Sequence, residues 1–343
     1  MNERQDLGIE VTVWRGSIPE SRHRVEAVVA DASGRITAGT HGCDVVTAFR
    51  SSAKPFQLLP FVERGLAERW NLGDEHLAIM AASHSGSRRH VAVVRDLLER
   101  FGLEEQQLAC GTHDPLDPEA LAEVRRDPSS ATPLHNNCSG KHAGMLALCK
   151  AEGWLLAGYE LADHPLQQLL LRTVGEVCGV DPATIVTGVD GCSVVVFGLP
   201  LAAMAVGFAR LAAARPDAGP RERALARIRD AMAAQPYLVG GHQRFDTELM
   251  EAAGGTLVAK IGAEGLECIA VRDARVGVAV KSEDGSARGA APVALAVLEH
   301  LGLASPEVLA AMATARRPVV RNVRGLDVGR VEATVRSGVP AKT

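Results

Sequence analysis

The sequence predicts a mixed α/β fold of the α+β kind, an antiparallel sheet flanked by helices with a helical lobe beside it. Three observations carry this. Short apolar-alternating segments fill the first forty residues, helical apolar spacing runs from residue 54 to residue 234, and strand character returns between residues 256 and 281. Strands at both ends of a chain can meet in one sheet, leaving the middle to form the second lobe. With 343 residues and 47% hydrophobic content, the chain can bury a large core. The expected organisation is a single unit over residues 1–343, with a sheet-containing lobe from 8–50 and 245–335 and a mainly helical lobe at 51–244.

The elements follow in order. Ile9 to Arg15 alternates through Ile9, Val11 and Val13, and Ser17-Ile18-Pro19-Glu20 breaks it. His23 to Asp31 and Arg35 to Thr40 follow across Ala32-Ser33-Gly34, which reads as an antiparallel meander. Helical spacing marks Lys54 to Gly65, His90 to Phe101, Glu119 to Arg126, His142 to Ala151, Pro165 to Val177 and Arg221 to Ala234. Strands are expected at Thr256 to Ile261, Leu266 to Arg272 and Val276 to Lys281, and a core helix at Ala291 to Leu303. The longest uncharged run, Gly191 to Ala209, has the length of a membrane span, but Gly198, Pro200 and Gly207 interrupt it. It reads as a buried strand or loop followed by a buried helix.

Composition narrows the function. A formal net charge of −4 with dispersed Lys and Arg argues against a nucleic-acid or anionic-membrane partner, and 3% aromatics leaves few surfaces for stacking bases or sugars. Met1 to Glu10 is polar and charged, without the apolar stretch of a secretory signal. The seven cysteines are odd in number. In the reduced, cytoplasmic compartment this implies, they are free thiols or metal ligands.

Four segments could carry chemistry. In Ser51-Ser52-Ala53-Lys54, at a helix entry, one turn brings the Ser51 hydroxyl and the Lys54 amine to one face. A serine needs a base to become a nucleophile, and a lysine serves only if burial or neighbouring charge keeps it neutral. The same four residues also describe an N-cap serine followed by an exposed lysine. Lys260-Ile261-Gly262, ending a strand, is similar to the Lys-Thr-Gly strand of β-lactamases and penicillin-binding proteins, or else is an edge-strand lysine before a turn. Ala82-Ser83-His84-Ser85-Gly86-Ser87 is either a turn with an N-cap or the second serine element such enzymes place between the other two. Finally, His135-Asn136-Asn137-Cys138-Ser139-Gly140-Lys141-His142-Ala143-Gly144 concentrates ligand-type side chains, with Asp190-Gly191-Cys192-Ser193 as its natural partner. Two thiolates with a nitrogen or oxygen donor suit Zn²⁺, yet no Cys-x-x-Cys is present, and buried structural thiols are the other reading.

Arg50-Ser51-Ser52-Ala53-Lys54-Pro55-Phe56-Gln57, Ala82-Ser83-His84-Ser85-Gly86, Asn136-Asn137-Cys138-Ser139-Gly140-Lys141-His142 and Val189-Asp190-Gly191-Cys192 resemble the rhizobial-type L-asparaginase II family. The resemblance runs over roughly residues 9–335, and the Asn-Asn-Cys-Ser-Gly-Lys-His block is its most specific part. It implies a serine β-lactamase-like fold, shared with serine-dependent glutaminases, and a homodimer. It implies one Ser–Lys pair from Ser51 and Lys54 and a second from Ser83 and Lys260. It implies zinc held by Cys138, Lys141 and Cys192, with water completing the tetrahedron and Asp190 close by. Arg50, Asp190, Gly191 and Ala263 are the expected substrate contacts.

The implied activity is hydrolysis of L-asparagine through a Ser51 acyl-enzyme. Lys54 acts as base, the backbone N–H groups of Ser51 and Ala263 hold the oxyanion, Ser83 and Lys260 relay a proton to ammonia, and zinc is an accessory. Three competitors stand beside it. One is a zinc-dependent amidohydrolase using metal-bound water, the second a β-lactam- or peptide-recognising Ser–Lys enzyme, and the third a non-catalytic asparagine sensor.

Overall fold

The computed structural model describes residues 4–338, so the reading of Met1 to Glu10 falls outside the described residues at positions 1–3. The chain divides into two compact units. One comprises the residues up to Ser52, Leu199–Ala213 and those from Glu248 onward; the other comprises Ala53–Gly198 and Ala214–Thr247. The Leu199–Ala213 segment thus belongs with the sheet-containing unit although it lies within the span 51–244.

In chain order the strands are β1 (Gln5–Arg15), β2 (Ile18–His23), β3 (Val25–Asp31), β4 (Ile36–Gly39), β5 (Val46–Ala48), β6 (Val186–Val189) and β7 (Val195–Pro200). They continue with β8 (Leu257–Gly262), β9 (Leu266–Val271), β10 (Val276–Ser282), β11 (Val319–Arg321) and β12 (Asp327–Ser337). The first unit is built on a sheet of order β11-β12-β1-β4-β3-β10-β9-β8, with β2 paired to the outer half of β1. Both chain ends therefore contribute strands, and the three expected strands between residues 256 and 281 are β8, β9 and β10.

The expected meander forms in part: β3 and β4 pair antiparallel, but β1 does not continue the up-and-down order. β1 meets β4 in parallel through Gln5 opposite Ala38, and its long antiparallel partner is β12, from Leu7 opposite Ser337 to Arg15 opposite Gly329. β12 is half-exposed and rich in charge, so its alternation carries little apolar signal. The Ser17–Glu20 break is likewise a strand. β2 is an exposed strand paired only to β1, and an edge is where a proline such as Pro19 costs no ladder hydrogen bond.

Every residue of β10 from Gly277 to Ser282 is buried, which requires cover on both faces of the sheet. Two helices, Leu201–Ala213 and Ala287–His300, pack on β3, β9 and β10. The first lies so close that a Cβ at Gly277 would sit 2.0 Å from the Ala205 carbonyl oxygen. The uncharged run from Gly191 resolves into β7 followed by this helix, and among the described residues no helix is long and apolar enough to cross a membrane.

The second unit is helical. Helix Lys54–Glu63 is buried from Lys54 to Val62, packed by helices Ser139–Glu152, Pro165–Cys178 and Pro220–Ala234. Helix Asp74–Met80 meets Ser139–Glu152 at a pair of glycines one turn apart. A Cβ on Gly140 would fall 2.3 Å from the Ile79 carbonyl oxygen, and one on Gly144 would fall 2.8 Å from Met80 Sδ. Small residues at i and i+4 open one face of a helix to this depth. The approach sets the segment after Met80, which carries Ser83, against the helix start that carries Cys138 and Lys141. We predict that Gly140→Ala, which forces backbone against backbone, destabilises the fold by on the order of 1–3 kcal/mol in urea titration. A variant as stable as the wild type would mean that the two helices are not held at this spacing.

Candidate active site

Lys54 begins its helix with Pro55 behind it and is 1% exposed, so the exposed-lysine reading of Ser-x-x-Lys is wrong. Its Nζ lies 2.5 Å from the Ala82 carbonyl oxygen, 2.9 Å from Ser83 Oγ and 3.3 Å from the Asn137 carbonyl oxygen. Burial pulls the amine below its ordinary range, with the nearby Lys141 charge adding to the effect while the Cys138 and Cys192 thiols oppose it. Nζ thus meets three oxygens, from Ala82, Ser83 and Asn137, with the Cys138 sulfur also in hydrogen-bond reach.

Ser83 is held for this contact. Its N–H donates to the Val239 carbonyl at 3.0 Å, and its side chain is buried. The N-cap of the following helix, Arg88–Phe101, is Ser87, so Ser83 is not the capping residue. His84, also fully buried, places Nε2 2.9 Å from Ser139 Oγ, while Ser139 Oγ donates to the Leu134 carbonyl and His84 Nδ1 accepts from the Gly86 N–H. That pattern fixes the Nε2–H tautomer. Burial, aided by the His90 and Lys54 charges, keeps the ring neutral far below its usual range. The Ser83 segment and the Cys138 segment are thereby tied together.

Cys138, Lys141 and Cys192 are each at most 4% exposed. Lys141 Nζ donates to Cys192 Sγ at 3.0 Å, and Asp190 Oδ2 lies 3.9 Å from the same sulfur. Cys192 sits in the turn between β6 and β7, where the Asp190 N–H donates to the Val194 carbonyl and Asp190 Oδ1 accepts from the Gly191 N–H. A hydrogen bond from Cys192, with Lys54 and Lys141 nearby, outweighs burial and holds the Cys138 thiol far below its usual range. The reciprocal bond and burial push Cys192 up. Burial pulls Lys141 down, but the two sulfurs and Asp190 more than offset it, so its ammonium form is favoured.

This donor set fits a divalent cation. One proton leaving Cys192 and one leaving Lys141 would exchange for two positive charges, with no net change of charge in a buried site. Among the described residues no group of three His, Cys, Asp or Glu side chains suits a metal; here the third donor is a lysine. All seven cysteines are buried.

In the sheet-containing unit, Ser51 occupies a one-turn 3₁₀ helix, Arg50–Ala53, and is half-buried. Arg50 just before it has φ +45°, a conformation that costs a non-glycine residue on the order of 1–3 kcal/mol and concentrates at functional turns. Ser52 Oγ donates to the Lys260 carbonyl at 2.8 Å, which fastens the Ser51 turn to β8. β8 ends the sheet order, as an edge-strand reading requires, but Lys260 is fully buried and its Nζ donates to the Ile261 carbonyl at 3.0 Å. Ala263 lies exposed in the turn after β8.

Within one unit the structure thus gathers Arg50, Ser51 and Lys260; within the other it gathers Lys54, Ser83, Cys138, Lys141, Asp190, Gly191 and Cys192. Sequence reasoning missed the supports: the Val239 carbonyl, His84, Ser139 and Asn136. Of these His84, Asn136 and Ser139 lay in segments already singled out, but none had been given a role.

A lysine stripped of water and set on a serine hydroxyl is equipment for cleaving acyl bonds by way of a covalent intermediate. The chain belongs to the L-asparaginase II family, whose model matches residues 11–333, and that family consists of hydrolases acting on amides. Among solved structures, the chain is similar to Mglu in its native form, with 15% identity and a TM-score of 0.43 over 85% of this chain and 64% of that one. Against the glutamate form of Mglu the identity is 17% and the TM-score 0.36, over 83% of this chain and 63% of that one. The chain therefore spans a little under two thirds of the Mglu chain. A comparison with curated proteins finds no match.

Burial holds Lys54 below the free-lysine value of about 10.4, so its neutral fraction grows as pH rises. Amide turnover is expected to climb from neutral toward alkaline pH, with its limb below that value. Lys54→Met, which keeps the buried stem and removes the nitrogen, should lower kcat by about a hundredfold or more. A flat kcat profile, or an active Lys54→Met, would exclude the lysine as base.

Proposed function

We propose that this protein hydrolyses L-asparagine to L-aspartate and ammonia through an acyl-enzyme on Ser51, on a serine β-lactamase-like fold. The observation that carries the reading is the buried Lys54 amine, 2.9 Å from the Ser83 hydroxyl, in a chain of the L-asparaginase II family; Ser51 as the acylated serine rests on the Ser-x-x-Lys spacing. In this reading Lys54 accepts the Ser51 proton as Ser51 Oγ attacks the side-chain amide. The Ser51 and Ala263 N–H groups receive the oxyanion. Ser83, paired with Lys260, returns a proton to the departing nitrogen, and water then hydrolyses the aspartyl ester. Arg50, Asp190 and Gly191 contact the substrate. The protein works as a cytoplasmic homodimer, without nucleic-acid or membrane partners.

Cys138, Lys141 and Cys192 would hold Zn²⁺, which when bound supplies positive charge that orients the substrate beside Asp190. Ser51 remains the nucleophile, so the metal is an accessory. A zinc-dependent amidohydrolase is the competing reading, favoured by the convergence of two thiols and an amine.

Ser51→Ala is expected to lower kcat on asparagine by several orders of magnitude in a folded protein, with no aspartyl adduct trapped by mass spectrometry. Chelation or Cys192→Ser should instead raise KM and lower stability while some turnover survives at saturating asparagine. Parallel kcat, KM and zinc-content measurements separate the readings. An active Ser51→Ala together with kcat proportional to zinc would replace this mechanism with the metal-driven one.

A further inference from the structure

The Asn137–Cys138 peptide serves both halves of the site described in the helical unit. Its first residue gives a carbonyl to Lys54, and its second carries a thiol of the Cys–Lys–Cys cluster. It lies in the connection between Pro133–His135 and the helix starting at Ser139; the Cys138 carbonyl accepts the first helical bond, from the His142 N–H, but the Asn137 carbonyl and the Cys138 N–H take no part in a helix or strand ladder. The anchors of its two N–H groups are side chains. Asn136, 3% exposed, has every polar group of its amide engaged. Nδ2 donates to the Cys110 carbonyl at 2.8 Å and to the Gly111 carbonyl at 3.1 Å, and Oδ1 accepts from the Cys138 N–H at 2.9 Å. Beside it, His113 Nδ1 donates to the Asp114 carbonyl, which leaves Nε2 as an acceptor, and that nitrogen takes the Asn137 N–H at 3.1 Å.

We propose that Asn136, with His113, is a positioning residue that clamps the Asn137–Cys138 peptide to the 110–113 segment, setting at once where the Lys54 amine finds its carbonyl and where the Cys138 sulfur stands. Two properties of the arrangement support a role beyond folding. The Asn136 amide is matched to its surroundings in donor and acceptor sense, so no other small side chain satisfies the two carbonyls and the one N–H together. And the two N–H groups that the clamp fixes belong to consecutive residues, which leaves that peptide no freedom to rotate without breaking one of them. The consequence for turnover rests on the asparaginase reading above; the clamp itself does not.

The test uses the full-length protein and two readouts. Iodoacetamide labelling in the presence of a chelator, followed by peptide mapping, reports the exposure of each cysteine without reference to activity. In Asn136→Ala, Cys138 should be alkylated about tenfold faster or more, with Cys149 and Cys178 unchanged. Outer groups that orient a site residue commonly matter by about 10–100-fold. On asparagine, kcat should fall by about tenfold or more while KM stays within about threefold, because what is displaced faces the base. His113→Ala, at a half-exposed loop position, should move both readouts the same way, and His113→Gln, which restores an acceptor, should recover them.

Unchanged Cys138 labelling and unchanged kcat in both alanine variants would overturn the proposal. So would all buried cysteines becoming reactive in step, since that marks general loosening. If the wild-type protein turns over no amide, the asparaginase reading falls, and the labelling pattern alone decides the clamp.

Discussion

The arrangement of the helical unit depends on keeping one lysine amine out of water. A buried ammonium without partners costs several kcal/mol, so the chain must either surround it with acceptors or neutralise it. Around Lys54 it does both in part. Carbonyls from Ala82 and Asn137 and the Ser83 hydroxyl converge on Nζ, while burial favours the neutral form. Those acceptors come from two loops more than fifty residues apart in sequence, and neither loop has a ladder of its own. Each is held from behind, one by the Val239 carbonyl and the His84–Ser139 contact, the other by Asn136 and His113. The glycines at 140 and 144 serve the same end, since without that close helix approach the two loops would stand farther apart.

The second amine of the region is handled in the opposite sense. Lys141 meets two sulfurs and Asp190, and in that company its charge is favoured. One fold thus pushes two buried lysines in opposite directions, because burial dominates at Lys54 whereas the two sulfurs and Asp190 outweigh it at Lys141. The cysteines divide similarly. Cys138 is drawn toward the thiolate by its neighbours, whereas Cys149 is pushed up to about 12 by burial alone. Composition counts both as buried thiols, and only their surroundings separate a ligand candidate from a core residue.

Much of this was legible in the chain itself. Periodicity marked helices and strands whose side chains face an apolar core, because burial selects residue type at a fixed spacing. It failed at β2, which is exposed, and at β12, which is half-exposed, both therefore under weak apolar selection, and a proline in β2 reads as a break unless the strand is known to lie at an edge. The meander, of which only the β3–β4 pairing formed as expected, missed for another reason. Local alternation says that a segment is a strand, but its partner is chosen by the whole sheet, and β1 found that partner at the far end of the chain.

What the sequence by itself determined is the inventory: an α+β chain, a Ser-x-x-Lys turn, a second serine segment, a lysine strand and a thiol-rich block, in an order that resembles one family over most of its length. These are properties of residue type and spacing, and they survive without coordinates. What only the tertiary structure decided is the state of each group. Ser-x-x-Lys could not say whether its lysine was solvated, and the Cys–Lys–Cys set could not say whether its donors converged. Nor could any motif show that Asn136 and His113 hold the peptide between them. Protonation, convergence and clamping depend on distance and on the exclusion of water, and both are set by segments that meet only after the chain has folded.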